Sequence, residues 1–209
     1  MNVLVCDDHP VVRRGLKDIL LADGGAATVG EASMATELLS LVRSRPWDVV
    51  VLDIGLPGLN GLEALRQLKQ ERPRLPVLIL SVHPADHYAV RSLRAGAAGY
   101  LSKEAAPEEL LNALRVVVSG RKYVTSEVGE QLAFDLEHPS DRLPHEALSD
   151  REYQVLCLLA SGATVTKVAA DLALSVKTVS THRVRMLKKL GLKTNADIIR
   201  YALQQRLVS

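Results

Sequence analysis

The chain is poor in cysteine and poor in aromatic residues. Its 209 residues hold two cysteines, Cys6 and Cys157, too few and too far apart for a disulfide framework or a thiolate metal cluster. A reducing compartment, the cytoplasm, is therefore expected. Aromatic residues make up 3% of the chain, which argues against the stacking platforms that hold RNA or single strands. No apolar run approaches the ~18 residues needed to cross a bilayer, so no membrane partner is expected. The opening MNVLVCDDHP carries two acids by its eighth residue, unlike a signal peptide. Internal repeats and low-complexity tracts are also missing.

Apolar residues are plentiful at 47%, enough to build a core in each of two small domains. The formal net charge of +2 conceals an uneven distribution. Residues 1–124 carry 15 basic against 14 acidic side chains, residues 125–146 carry 1 against 6, and residues 147–209 carry 10 against 4. A basic end behind an acidic connector fits a contact with a polyanion, and equally a solvated basic face.

In the first 120 or so residues, short β-rich runs at 3–6, 27–30, 49–52, 77–80 and 99–101 alternate with amphipathic stretches at 12–21, 35–43, 62–71, 87–95 and 108–118. Strands separated by single helices imply right-handed βαβ units and a parallel sheet covered on both faces. The expected fold is therefore an α/β doubly wound five-stranded sheet over residues 1–120. A linker over 121–146 follows, containing a short helix near 126–136 and a Pro139/Pro144 break. A small all-α domain over 147–209 completes the chain.

In such sheets ligands bind beyond the carboxyl ends of the strands. Asp7 and Asp8 close the first run, Asp53 the third and Ser81 the fourth, while Lys103 follows the fifth. Singly, each has an ordinary explanation as a solvated turn, a loop cap or a surface residue. Together they converge on one rim. Three carboxylates there raise one another's pKa unless a cation sits among them. A hard divalent ion, Mg2+ by preference, answers this, with Asp8 and Asp53 as direct ligands, Asp7 through water, and the Gly55 carbonyl adding an oxygen. Asp53 can then attack phosphorus while the ion and Lys103 neutralise the equatorial oxygens and Ser81 donates a hydrogen bond. A nucleotide-binding or phosphatase enzyme of the same fold class is disfavoured, because Asp7-Asp8-His9-Pro10 stands where a glycine-rich phosphate loop would follow the first strand.

The segments VLVCDDHPVVRRGL, DVVVLDIGLPGLNGLEAL, PVLILSVH and AGAAGYLSK resemble the receiver domain of two-component response regulators. The resemblance implies a CheY-like fold, no enzymatic turnover of an external substrate, and a phosphoaspartate at Asp53 made from the phosphohistidine of a sensor histidine kinase. It also implies a switch in which Ser81 and Tyr100 reorient together, although Tyr100 equally fits a half-buried edge aromatic. Two positions that influence phosphate lifetime depart from the common pattern. Gly55 offers no side chain to shield the phosphorus, and His83 either approaches the attacking water or is a loop residue.

After the linker the pattern is helical throughout. Ser149 and Glu152 form a capping box, Gly162 stops the first helix, Thr164 caps a second that runs to about residue 173, and Ser175 caps a third ending near Gly191. Thr194 or Asn195 opens a fourth. The second and third helices, joined by a tight turn, have the geometry that presents a helix to a major groove. On the third, Val179, Met186, Leu187 and Leu190 share an inward face. The segments LSDREYQVLCLLASG and VAADLALSVKTVSTHRVRMLKKLGLKTNADIIRYAL resemble the LuxR-type helix-turn-helix of the NarL/FixJ subfamily. That resemblance implies backbone contacts from Thr178 and His182 and base contacts from Ser180, Thr181 and Val184. Lys177, Arg185 and Lys188 join the DNA-binding set, with Arg183, Lys189 and Lys167 as further candidates for phosphate. Each basic residue alone also suits a solvated face. The implied partners are double-stranded promoter DNA, a second copy of the chain paired through the last helix, and RNA polymerase.

Overall fold

The computed structural model describes residues 1–81, 85–137, 143–205 and 207–208, so His83 and Pro139 lie outside the described residues. Two compact units are present, Met1–Phe134 and Asp135–Ser209.

The first unit is built on five parallel strands, β1 (Asn2–Cys6), β2 (Thr28–Ala32), β3 (Val49–Asp53), β4 (Val77–Ser81) and β5 (Gly99–Ser102), in the order β2-β1-β3-β4-β5. Five helices alternate with or follow them: α1 (Pro10–Ala22), α2 (Ala35–Ser44), α3 (Gly61–Glu71), α4 (Ala85–Arg94) and α5 (Pro107–Val118). Because side chains alternate across a strand, Val3, Val5, Val49, Val51, Leu78 and Leu80 face one side. There they meet Leu16 and Leu20 of α1 and Leu110 and Leu114 of α5. The intervening Leu4, Val50, Leu52 and Ile79 are buried on the opposite side. Burying a Leu, Ile or Val side chain is worth about 1.5–3 kcal/mol. A charge substituted at any of these positions would therefore open a gap in the sheet on which the strand-end residues sit.

Several element bounds differ from the sequence reading, helices α3 and α4 among them, which start at Gly61 and Ala85. Helices α1 and α5 begin earlier, at Pro10 and Pro107, because proline's fixed φ and missing N–H suit the first helical turn. β2 is displaced toward its carboxyl end, pairing Glu31 with Val5 and Ala32 with Cys6. Register with β1 overrides the low strand propensity of Glu and Ala.

The stretch read as linker is structured over most of its described length. Tyr123 N–H donates to Ala98 O at 2.9 Å, fastening it beside β5. Helix α6 spans Ser126–Glu137, with Val128 buried. In the second unit a 3-10 turn, Pro144–Ala147, buries His145, whose backbone N–H donates to the Tyr201 hydroxyl at 3.2 Å.

The second unit contains α7 (Asp150–Ala160), α8 (Val165–Asp171), α9 (Val176–Leu190) and α10 (Asn195–Gln204), with α7 packed against α8, α9 and α10. Caps fall where the sequence placed them: the Ser149, Thr164, Ser175 and Thr194 side chains each accept from the third backbone N–H of their helix. Gly191 closes α9 with φ 67°, a left-handed conformation that costs glycine nothing. Helix α8 stops two residues short of the expectation because Ala173 turns to φ 52°, and the Leu174 N–H reaches back to Ala169 O at 2.8 Å. No helix among the described residues is long and apolar enough to cross a membrane.

Candidate phosphoryl-acceptor pocket and DNA interface

β1 and β3 are hydrogen-bonded neighbours, so their ends set Asp7, Asp8 and Asp53 side by side. β5 lies across β4, and the Lys103 N–H donates to Ser81 O at 2.8 Å, returning the lysine to the same rim. Close packing under β3 helps: a Cβ on Gly61 would sit 2.2 Å from Asp53 O, so only glycine lets α3 start there.

The Lys103 ammonium lies 2.6 Å from Asp7 Oδ2 and 2.8 Å from Asp53 Oδ2. Asp53 Oδ1 accepts the Gly55 N–H at 2.9 Å. A Cβ at Gly55 would lie 3.3 Å from Asp53 Oδ2, so its absence leaves that carboxylate uncrowded. Asp7 and Asp53 are buried and Lys103 nearly so, while Asp8 is about one-third exposed at 30% of its side chain. Burial pushes the Asp53 carboxyl above the ordinary range, against the Lys103 and Gly55 hydrogen bonds that pull it down. For Lys103 burial alone would favour the neutral amine, but the hydrogen bond to Asp53 and the adjacent Asp7 carboxylate prevail and hold it charged. Burial, followed by the charges of Asp7 and Asp53, raises the neighbouring Cys6 thiol and keeps it an inert core group.

One ammonium thus pairs with two of the three carboxylates on this rim. Asp7 Oδ2 lies close to Lys103 without well-directed hydrogen-bond geometry, and Asp8 Oδ1 is likewise buried without a hydrogen bond. Oxygen atoms of this kind suit a hard divalent cation. Ligand atoms of Asp7, Asp8, His9 and Asp53 all fall within 4.8 Å of one another, so the residues present fit such an ion. His9 was not singled out from the sequence, although it directly follows the two acids. Its Nδ1 lies 2.9 Å from Asp8 Oδ1 and 3.2 Å from Asp7 Oδ1. Ser81 and Tyr100 are both buried. Tyr100 is therefore a core aromatic, more enclosed than the half-buried alternative.

In the second unit α9 divides as its periodicity suggests. Val179, Met186 and Leu187 are buried, whereas Leu190, expected on the same face, is half-buried at the helix end; Lys177, Ser180, Thr181, Val184, Arg185 and Lys188 are exposed, and Thr178 and His182 lie between. Val184 is 61% exposed. The Ser180 and Thr181 hydroxyls donate back to Val176 O and Lys177 O. Three basic residues are already engaged. Lys189 donates to the capping-box carboxylate of Glu152 at 2.6 Å, Arg183 Nε donates to Asn195 Oδ1 at 2.9 Å, and Lys167 pairs with Asp171 at 2.8 Å. On α10, Ile198 and Ala202 are buried while Ile199 and Leu203 are exposed.

A five-stranded parallel sheet with an acidic, lysine-bearing rim, joined to a helix-turn-helix unit with an exposed basic helix, defines a two-component response regulator that binds DNA. Comparison with known proteins agrees. Residues 3–115 match the response regulator receiver domain and residues 146–202 match the bacterial regulatory proteins of the luxR family. The chain is 36% identical to the response regulator UvrY of Escherichia coli K12 over 208 residues, covering 99% of this chain and 95% of that one. It is 35% identical to the response regulator GacA of Pseudomonas aeruginosa over 209 residues, covering 100% and 98%. Among solved structures, RcsB from Salmonella enterica serovar Typhimurium, bound to promoter rprA in the presence of phosphomimetic BeF3-, aligns with TM-score 0.65 at 25% identity over 96% of this chain and 97% of that one. The chain belongs to the NarL/FixJ subfamily of response regulators, with a receiver domain and a LuxR-type DNA-binding domain.

Proposed function

We propose that the chain is a transcriptional switch in which Asp53 accepts a phosphoryl group from a sensor histidine kinase and thereby changes how the C-terminal unit binds promoter DNA as a dimer. The observation that carries this reading is the pairing of buried Asp7 and Asp53 with the single Lys103 ammonium, beside carboxylate oxygens with unused capacity.

Asp53 acts as the nucleophile: a carboxylate oxygen forms a bond to phosphorus as the P–N bond of the donor phosphohistidine breaks, and the imidazole keeps the electron pair and takes up a proton. Lys103 moves its charge from the Asp53 carboxylate to the phosphoryl oxygens, and Ser81 donates a hydrogen bond to them. Asp7, Asp8, Asp53 and the Gly55 carbonyl are the residues that would hold Mg2+, which supplies charge neutralisation on the transferring oxygens. Ser81 and Tyr100 form the switch pair. Domain limits of 1–120 for the receiver and 147–209 for the reader, with 121–146 between, go with this division of labour.

On the reader, Lys177, Thr178, His182, Arg185 and Lys188 contact the DNA backbone, and Ser180, Thr181 and Val184 face base edges. Val184 would meet a thymine methyl, which accounts for an exposed valine. Two copies pair through Ile199 and Leu203 of α10, and bound dimers meet RNA polymerase. RcsB bound to promoter DNA in the presence of a phosphomimetic supports this reading by analogy.

The test is incubation of the purified chain with Mg2+ and acetyl phosphate. The expected result is one acid-stable, base-labile phosphoryl group per chain, absent from Asp53→Asn and lost on chelation. Equal labelling of the Asn variant would reject Asp53 as acceptor.

A further inference from the structure

At the amino-terminal end of the sheet, opposite Asp53, the loops entering β3 and β4 enclose a second cleft of about 880 Å3. This is within the ~300–1,000 Å3 typical of small-molecule sites. We propose that it binds an oligophosphate chain, free or as part of a nucleotide.

Four arginines line it: Arg43, Arg45, Arg72 and Arg74. Arg43 is committed, since its Nε donates to Glu71 at 2.8 Å and its guanidinium holds that carboxyl below the ordinary range, with a smaller contribution from Arg72. Arg45 lies over the Trp47 ring, 3.8 Å from its centroid, a contact that restrains the guanidinium at the cleft wall. The Arg72 and Arg74 side chains make no hydrogen bond or ion pair among the described residues. Of the lining acids, Glu71 is neutralised by Arg43, and Asp48 accepts the Asn2 N–H at 2.6 Å. Arg45, Arg72 and Arg74 thus line the cleft with no carboxylate bonded to them among the described residues, against one partly committed acid, Asp48.

The walls are fixed. Trp47 is buried and its Nε1 donates to Leu41 O at 3.0 Å; Leu75 N–H donates to Arg72 O at 3.1 Å, and Val50 N–H to Pro76 O at 3.0 Å. Pro46, Pro73 and Pro76 further restrict the loops. Guanidinium forks on rigid loops match phosphate oxygens two at a time. Their spread over an open cleft selects several linked phosphates over one. The Trp47 face is already covered by Arg45, so the site takes the phosphate chain and leaves any attached base outside.

Trp47 is the single tryptophan of the chain and reports on this cleft. Full-length protein is titrated, free of divalent cations, with tripolyphosphate, ATP, orthophosphate and a tetraglutamate peptide, followed by Trp47 emission and by calorimetry. Saturable binding of tripolyphosphate is expected, at least about tenfold tighter than orthophosphate or the peptide and weakening with added salt. Binding of ATP with equal affinity assigns the determinant to the phosphate chain; a large preference for ATP makes the bound species a nucleotide. Arg72→Ala with Arg74→Ala should cost at least about tenfold, and the charge-reversed pair Arg72→Glu with Arg74→Glu more. Asp53→Asn, which removes the phosphoryl acceptor at the other end of the sheet, should leave tripolyphosphate affinity unaltered, so failure of phosphorylation and failure of this site are separable. No saturable heat or emission change with either oligophosphate, tighter binding of the peptide, or affinity unaltered in both arginine pairs would overturn the proposal.

Discussion

The acidic pocket of the first unit and helix α9 of the second use charge in opposite ways. In the pocket, Asp7, Asp53 and Lys103 are taken from water and depend on one another. On α9, Lys177, Arg185 and Lys188 stand in solvent and depend only on the helix that carries them. A buried ion pair is costly to break because the surviving charge stays desolvated, whereas an exposed cation gives up little. The first region should therefore respond to change abruptly and the second in increments.

The largest break in that contrast is Lys103→Met. Without divalent cations it leaves two buried carboxylates with no ammonium, and the first unit should lose about 3 kcal/mol in urea unfolding. Because burial already raises the Asp53 carboxyl, its ionised form opposes folding above the folded-state pKa. That penalty fades as pH falls through this pKa toward the unfolded value of about 3.9, so acidification from neutrality should recover stability in this variant.

The second unit has the opposite sign. For Glu152 burial acts upward, yet hydrogen bonds from Lys189 and Ser149 hold its carboxyl below the ordinary range. Its stabilisation is complete above the unfolded value of about 4.3 and is lost as pH falls through the lower folded one. Glu152→Gln should cost the α7–α9 contact about 1–2 kcal/mol, read by hydrogen exchange, and should remove that acid dependence. Equal acid responses in the two units would erase the distinction.

Smaller effects test the reader. Lys177→Ala, Arg185→Ala and Lys188→Ala should each lower the slope of log affinity against log salt by about 0.9, alike on all duplexes. Lys189→Ala should leave the slope unchanged, since that ammonium is held by Glu152. The smallest change expected is a gain: Ala173→Gly relieves a left-handed alanine and should stabilise the helix-turn-helix by about 0.5–1 kcal/mol in thermal unfolding.

These differences also account for what was readable in the sequence. Strands buried on both faces write themselves as apolar runs, and a parallel sheet delivers their ends to one rim, so Asp7, Asp8, Asp53, Ser81 and Lys103 could be grouped before any coordinates. Helix caps were legible for a similar reason, because Ser149, Thr164 and Ser175 act on backbone three residues away. The commitments of long basic side chains were not. Lys189 meets a carboxylate 37 residues distant, and Arg183 an amide 12 residues distant, contacts that only tertiary packing creates. His9 was passed over because a histidine after two acids has no periodicity to mark it. The early end of α8 was hidden because alanine rarely signals a left-handed turn. The arginine-lined cleft escaped for the same reason as Lys189, since Arg45 and Arg72–Arg74 belong to different loops.

The claim that joins the two regions is that phosphate on Asp53 alters DNA binding by the second unit. Its most direct measurement is the affinity of the full chain for a duplex selected from random sequence, with and without acetyl phosphate, beside Asp53→Asn. Phosphorylation should tighten binding by about tenfold or more, a coupling of about 1.4 kcal/mol, with the Asn variant fixed at the weaker value. Equal affinity in all three states would contradict the account and leave the pocket and the reader as independent devices on one chain.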